Sequence, residues 1–291
     1  MKPAEASNTA KVIAASTILL ASDLRTSSQV APGAAILCRQ LLSGSRTDRW
    51  LAASAAHPLT RALWRGLERL TLPGIIAHYW HRKRWIESRC RDAIGDGFGR
   101  VIVLGAGFDT LGLRLAAGMP HIAVIEIDHP ATQDAKRRAL AGHSSALADN
   151  LHFVTCDFGT EALPATLAGD REDTVVIIEG VLMYLSPAAI ARLFAALRNL
   201  SGGRLRILFS FMSAWPDGRS GFRPHSVLIE RWLAWRKEPF TWALAPEAMA
   251  DFLAAHGFML VELALTKQFS SLSAAEPTML EGENLVMCEP A

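Results

Sequence analysis

The sequence predicts an α/β fold: a doubly wound sheet of seven strands, mostly parallel with an antiparallel C-terminal strand, behind an N-terminal helical cap. Three observations lead there. Short runs of β-branched and apolar residues alternate with helical periodicity from about residue 100 onward. The first run, VIVL at 101–104, breaks into Gly105-Ala106-Gly107 where a helix should begin. The next three runs, at 123–128, 151–156 and 174–178, end in or are followed by Asp128, Asp157 and Glu179.

Taken in order, residues 1–92 lack strand alternation and read as helices broken at Pro32, Gly44, Pro58 and Pro73-Gly74. Within them Lys11 precedes VIAASTILLAS at 12–22, similar to a short signal-peptide core. It is too short to span a bilayer, carries Ser16 and Thr17 in its middle and has no clear small-x-small cleavage site. A helix packed within the cap of a cytoplasmic protein is expected. Residues 93–291 form the nucleotide-binding domain. Val101 to Leu104 is unbroken, as in a strand buried on both faces, and AVIEID at 123–128 is the second strand, followed by Pro130 in the first turn of a helix. LHFVTC at 151–156 and TVVII at 174–178 are the third and fourth. Ser186-Pro187 starts a helix whose Ile190, Leu193, Phe194 and Leu197 share one face, with Gly202-Gly203 ending it. RLRILFSFM at 204–212 is the fifth strand, and 213–245 is an insertion too long for a simple connector. Pro246 opens a helix, 248–256, closed by Gly257, and 258–265 with 283–289 reads as a final antiparallel pair.

The 291 residues are 50% apolar with a net charge of +2. HRKR at 81–84 is the strongest basic cluster, so neither nucleic acid nor a membrane is expected as a partner. Cys38, Cys90, Cys156 and Cys288 show no C-x-x-C spacing and read as reduced thiols, with no metal site expected.

The glycine turn at 105–107 and Asp128, 21 residues after Gly107, suit a nucleoside ligand. The third glycine of a dinucleotide fingerprint would fall at 110, where Thr110 stands. Glu126, Asp128, Asp157 and Glu179 are expected near one carboxyl edge of the sheet. They would repel a diphosphate, by roughly 4 kcal/mol per charge pair at 4 Å and an effective dielectric of about 20. They would attract a ligand with a ribose diol, an amine and a sulfonium. S-adenosylmethionine is such a ligand. The bland reading is that each acid caps the helix that follows it.

HRKRWIE (81–87), VIVLGAGFDT (101–110), IEIDHPATQDAK (125–136), CDF (156–158) and EGVLMYLS (179–186) together resemble the leucine carboxyl methyltransferase-like group of class I S-adenosylmethionine-dependent O-methyltransferases, in its bacterial small-molecule tailoring branch. The pieces occur in the family's order over roughly 78–200. The resemblance implies a class I, Rossmann-like fold. It implies that Gly105, Ala106 and Gly107 turn under the methionine part of S-adenosylmethionine and that Asp128 binds the ribose. It further implies that Asp157 meets the adenine amino group beside the Phe158 backbone, that Glu179 lies near the methionine moiety, and that Arg82 meets the cofactor carboxylate. The family's usual Thr, Asp and Arg are here Lys83, Glu87 and Leu111.

The insertion carries Trp215, Phe222, Trp232, Trp235, Phe240 and Trp242 interleaved with Arg219, Arg223, His225 and Arg231. It reads as a lid over an apolar acceptor, or as a helix at roughly 225–237 covering the sheet edge. Tyr79, Trp215, Arg219 and Arg223 are the candidate acceptor residues. A carboxylate acceptor is already ionised at neutral pH, whereas a phenol would benefit from a base, for which His225 or His81 are candidates. Tyr184 is a candidate lining or catalytic residue. The expected activity is methyl transfer by in-line displacement to a carboxylate or hydroxyl of a small molecule or peptide. The alternatives are an NAD-dependent Rossmann oxidoreductase and a non-catalytic cofactor-binding subunit.

Overall fold

Strand runs with apolar side chains on both faces need helices on both sides, and that is the arrangement in the computed structural model, which describes residues 6–142, 147–164, 167, 172–200, 202–236, 238–270 and 280–291. The helices are α1 (Asn8–Ala21), α2 (Ala34–Leu41), α3 (Arg46–Ala56), α4 (Pro58–Thr71), α5 (Ile75–Gly95), α6 (Leu111–Gly118), α7 (Pro130–Ala141), α8 (Pro187–Arg198), α9 (Val227–Arg236), α10 (Met249–Ala255) and α11 (Thr266–Ser270). The strands are β1 (Arg100–Leu104), β2 (Ala123–Asp128), β3 (Leu151–Thr155), β4 (Thr174–Ile178), β5 (Leu205–Met212), β6 (Phe258–Ala264) and β7 (Glu283–Pro290).

The seven strands lie in the order β3-β2-β1-β4-β5-β7-β6. β3 to β5 are parallel, and β7 runs antiparallel to both of its neighbours, β5 and β6. Strand order reverses between β1 and β4, so the crevice at their carboxyl ends is the place where open α/β sheets bind ligands. The strand positions agree with the sequence reading to within a residue. The helix begun at Pro187 stops at Arg198, short of Gly202, with Asn199 as its C-cap.

Alternation along the strands divides the core in two. Val101, Val103, Val175 and Ile177 face the layer built by α1, α5 and α6. Ile102, Leu104, Val176 and Ile178 face α8 and α10. There Phe194 makes edge-on contacts with Phe209, Phe252 and Phe258 at ring separations of 5.8, 5.4 and 5.7 Å, each such pair contributing about 0.5–1.5 kcal/mol beyond its buried area. The 12–22 segment lies in α1, whose Ala15, Ile18 and Leu19 are fully buried. Helices α1 to α5 therefore share one core with the sheet, and α5 runs past residue 92 to Gly95. Among the described residues no helix is long and apolar enough to cross a membrane.

Candidate active site

The turn after β1 is held by backbone geometry that only glycine adopts easily. Gly105 has φ +71° and its N–H donates to Ile127 O at 2.7 Å. A Cβ added there would lie 2.2 Å from Val181 Cγ2, on the segment following β4. The chains leaving β1 and β4 thus meet side by side. Asp128, at the end of β2, accepts the Gly107 N–H and, at 2.6 Å, the His129 N–H. Burial raises its pKa above the ordinary carboxylate value, and those two donors pull it back. Asp157, half-buried after β3, accepts from Gly159 N at 3.0 Å. Phe158 beside it is buried. Asp128, Asp157 and Glu179 therefore stand at the ends of β2, β3 and β4, on the edge where the sequence put them.

Glu126 does not. Side chains alternate along a strand, so Glu126 shares a face of β2 with Asp128. One pleat deeper, it is closed over by α6 and α7: its carboxylate pairs with the fully buried Lys136 at 2.7 Å, and Gly112 leaves the room it occupies. Lys136 also donates to Asp109 O at 2.7 Å. This acid is part of the packing and not of the ligand edge.

Glu179 sits in a buried charge network that the sequence did not disclose. Arg82, on α5, reaches Glu179 at 2.7 Å and Glu283, the first residue of β7, at 2.7 Å. The fully buried His78, one turn before Arg82, donates to Glu283 at 2.7 Å. Burial would push the Glu283 carboxyl up, but Arg82 and His78 outweigh it and hold the pKa at about 2. The two carboxylates keep Arg82 charged despite its burial. Lys83 bridges Asp109 at 3.1 Å and Glu179 at 3.2 Å, holding Asp109 at a pKa of about 2. The departures from the family pattern are mutually accommodated: Leu111 is buried, and Arg114, one turn later on α6, binds Glu87 through both guanidinium nitrogens at 2.6 Å.

A chain of rings runs from this network to the insertion. Successive centroids are 6.1 Å from Tyr79 to His78, 5.5 Å on to Phe222, 6.2 Å on to Phe240 and 5.7 Å on to Tyr184. Thr241 N–H donates to Met183 O at 2.7 Å, strapping the segment to the stretch after β4. The Arg82 guanidinium lies 5.1 Å from the Tyr79 ring. Burial raises the Tyr79 pKa to about 12 and raises that of Tyr184 as well, so both hydroxyls stay protonated at neutral pH. A cleft of about 360 Å³ is lined by Tyr79, Lys83, Asp109 and Glu179 together with Ser16 and Thr17 of α1.

The other candidates do not gather here. Trp215, Arg219 and Arg223 form a tight turn at the surface: Trp215 N–H donates to Arg219 O at 2.8 Å, and Arg223 stacks 4.2 Å above the Trp215 ring while pairing with Asp217. His225 is exposed and pairs with Glu230 at 2.6 Å. His81 is buried against Trp80 at 4.4 Å. Of the insertion's aromatics it is Phe222 and Phe240 that reach the site. His78, Glu283 and the first turn of α1 were missed. That turn lies on the glycine loop, with Ala10 Cβ 3.1 Å from a Cβ built at Gly107 and Lys11 5.7 Å from the Phe108 ring. Thr9 hydrogen-bonds Glu238 of the insertion, joining the two covers.

The residues present fit an adenosine-bearing cation. The turn at Gly105–Gly107, with both glycines at positive φ, stands at the carboxyl end of β1, and carboxylates stand at the ends of β2, β3 and β4 around it. Thr110 is buried where a diphosphate-binding turn needs its third glycine.

Comparison with known proteins agrees. The leucine carboxyl methyltransferase family model matches residues 36–198. A protein of Mycolicibacterium smegmatis, named as an inferred S-adenosyl-L-methionine-dependent methyltransferase, is 29% identical over 71% of this chain and 70% of its own. One from Mycobacterium marinum, named likewise, is 29% identical over 69% of this chain and 66% of its own. Among solved structures, a DUF574 family protein of Streptomyces avermitilis superposes with TM-score 0.57 at 15% identity, covering 88% of this chain and 96% of its own. A methyltransferase-like protein of Thermobifida fusca gives 0.55 at 18% identity, covering 87% and 93%. These two share the fold.

Proposed function

Since the chain belongs to the leucine carboxyl methyltransferase family, whose members depend on S-adenosylmethionine, we propose that it methylates oxygen, on a carboxylate or hydroxyl of a small molecule or peptide. The observation that carries this reading is the aromatic face of Tyr79, Tyr184, Phe222 and Phe240 beside the Arg82–Glu179 pair. An apolar wall with two protonated phenols suits an apolar acceptor whose oxygen accepts hydrogen bonds.

When bound, the cofactor supplies a methyl group made electrophilic by its sulfonium. In the proposed assignment Asp128 takes the ribose hydroxyls, Asp157 and the Phe158 backbone take the adenine edge, and the Gly105–Gly107 turn lets the backbone approach. Arg82 and Lys83 face the methionine carboxylate, and Glu179 its amine. The acceptor is oriented by the tyrosine hydroxyls against the phenylalanine rings. Positioning of this kind supplies most of the barrier reduction, with effective molarities of about 10⁵ M or more for well-oriented pairs. A carboxylate acceptor, ionised above a pKa of about 4, needs no proton removed. Neither His225 nor His81 has a part in this assignment.

The test is a transfer screen. The chain is incubated with methyl-labelled S-adenosylmethionine and a panel of carboxylic acids and phenols, and products are read by mass spectrometry. Labelled methyl esters or ethers, with KM raised in Tyr184→Phe, are the expected result. Transfer confined to nitrogen or carbon acceptors would overturn the oxygen assignment. An absence of transfer despite tight binding of S-adenosylmethionine would favour the non-catalytic subunit.

A further inference from the structure

Helix α4 is amphipathic, yet the core receives its polar side. Thr60, Trp64 and Glu68 lie inward, and Glu68 is committed there: its Oε1 accepts the Ile76 N–H at the start of α5 at 3.0 Å. The opposite face presents Leu59, Leu63, Leu67 and Leu70, exposed by 79, 62, 53 and 80%. α3, which packs against α4, adds Trp50 at 70%. The turn after α1, close enough for Arg65 to bias the Asp23 carboxyl, adds Leu24 at 94%. Contiguous apolar patches of this kind are uncommon on a surface that faces only water.

The charge around the stripe says what covers it. Residues 46–71 hold five arginines and two acids. Both acids are buried, Asp48 paired with Lys11 at 2.9 Å and Glu68 with Arg65 at 3.4 Å. Arg46, Arg49 and Arg69 are exposed. The nearby Asp23 is answered by Arg25 in its own turn. A second copy docked face to face would set these arginines against their equivalents. An anionic surface would be attracted, and leucines standing out from a convex helix suit insertion between headgroups better than a flat contact.

We propose that the α3–α4 face docks the protein onto an anionic lipid surface, with Leu59, Leu63, Leu67 and Leu70 entering the interface and the flanking arginines meeting headgroup phosphates. This departs from the sequence expectation of no membrane partner. Periodicity alone assigns a leucine stripe to the core, and only the packing reveals that it points out.

The test is flotation of the full chain with phosphatidylcholine vesicles, with and without phosphatidylglycerol. Binding to the anionic vesicles that falls as salt rises is expected. L63Q/L67Q, which keeps good helix formers on an exposed face, should lower partitioning by about tenfold or more. R46Q/R49Q/R69Q should remove the preference for anionic vesicles. S-adenosylmethionine affinity should be unchanged in both variants, showing that they are folded. Failure to float with anionic vesicles, or equal flotation of L63Q/L67Q, would overturn the proposal. So would a dimer in sedimentation equilibrium that L63Q/L67Q dissociates, or capture of an acidic protein without vesicle binding.

Discussion

Replacing Glu283 by glutamine isolates the buried charge network, because the side chain keeps its shape and loses only its charge. In the native protein Glu283 is fully buried, with Arg82 and His78 each 2.7 Å away. Its carboxyl is held at about 2 against an ordinary value of about 4.5. A shift of that size corresponds to about 3 kcal/mol favouring the charged form in the folded state. It falls within the range of about 3–5 kcal/mol seen when one partner of a buried ion pair is removed. With an unfolding entropy near 2 cal/mol/K per residue, Glu283→Gln should lower Tm by about 5 °C at neutral pH. The folded-state pKa is depressed, so the native stabilisation is fully present above about pH 4.5 and is lost as pH falls through about 2. The gap between native and variant proteins should therefore narrow across that window. Calorimetric unfolding of both from neutral pH down to the lowest pH at which they remain folded reads it directly. A variant as stable as the native protein at neutral pH, or a gap that does not shrink on acidification, would refute the reasoning.

Asp128→Ala should weaken S-adenosylmethionine binding by about tenfold or more, measured by calorimetry, while unchanged affinity in a folded variant would move the ribose contact elsewhere. Lys136→Met strands Glu126 in the core and should cost about 3–5 kcal/mol in chemical denaturation. Gly105→Ala combines a left-handed backbone with a collision on Val181 and should lose about 1–3 kcal/mol. Adding Val181→Ala should recover only the collision part, which denaturation of the double variant separates. Methyl transfer should show no fall assignable to Tyr79 or Tyr184 below about pH 10, since burial keeps both phenols protonated; a pH–rate profile checks this.

Local signals carried much of the architecture into the sequence. The apolar runs, the glycine turn and the strand-end acids are contiguous or near-contiguous features, and Asp128, Asp157 and Glu179 stand where their spacing put them. What could not be read depends on which face of an element is covered. Glu126 and Asp128 both carry carboxylates on one face of β2, and only α6 and α7 distinguish them. The α4 leucines have core periodicity but face outward. Glu283 comes to Arg82 from 201 residues away because β7 inserts between β5 and β6, a choice no local pattern encodes. One signal was available: His78 and Arg82 are four apart on α5, the spacing at which a helix offers two donors to one carboxylate. The insertion's aromatics read equally as a lid or as an edge-covering helix, and in the fold Trp215 and its arginines close on one another while Phe222 and Phe240 pack toward His78 and Tyr184.

The position of β7 also sets an order of events during synthesis. A nascent chain that has emerged through β6 already contains the glycine turn, all three strand-end acids and Arg82. It lacks the strand that fills the place between β5 and β6, and with it the carboxylate that holds Arg82 against His78. The buried arginine gains its full complement of counter-charge when the last strand threads into a gap flanked on both sides. Pairing at such sequence separation is slow relative to local folding. Completion of the Arg82–Glu283–His78 network is therefore tied to the insertion of β7 between β5 and β6.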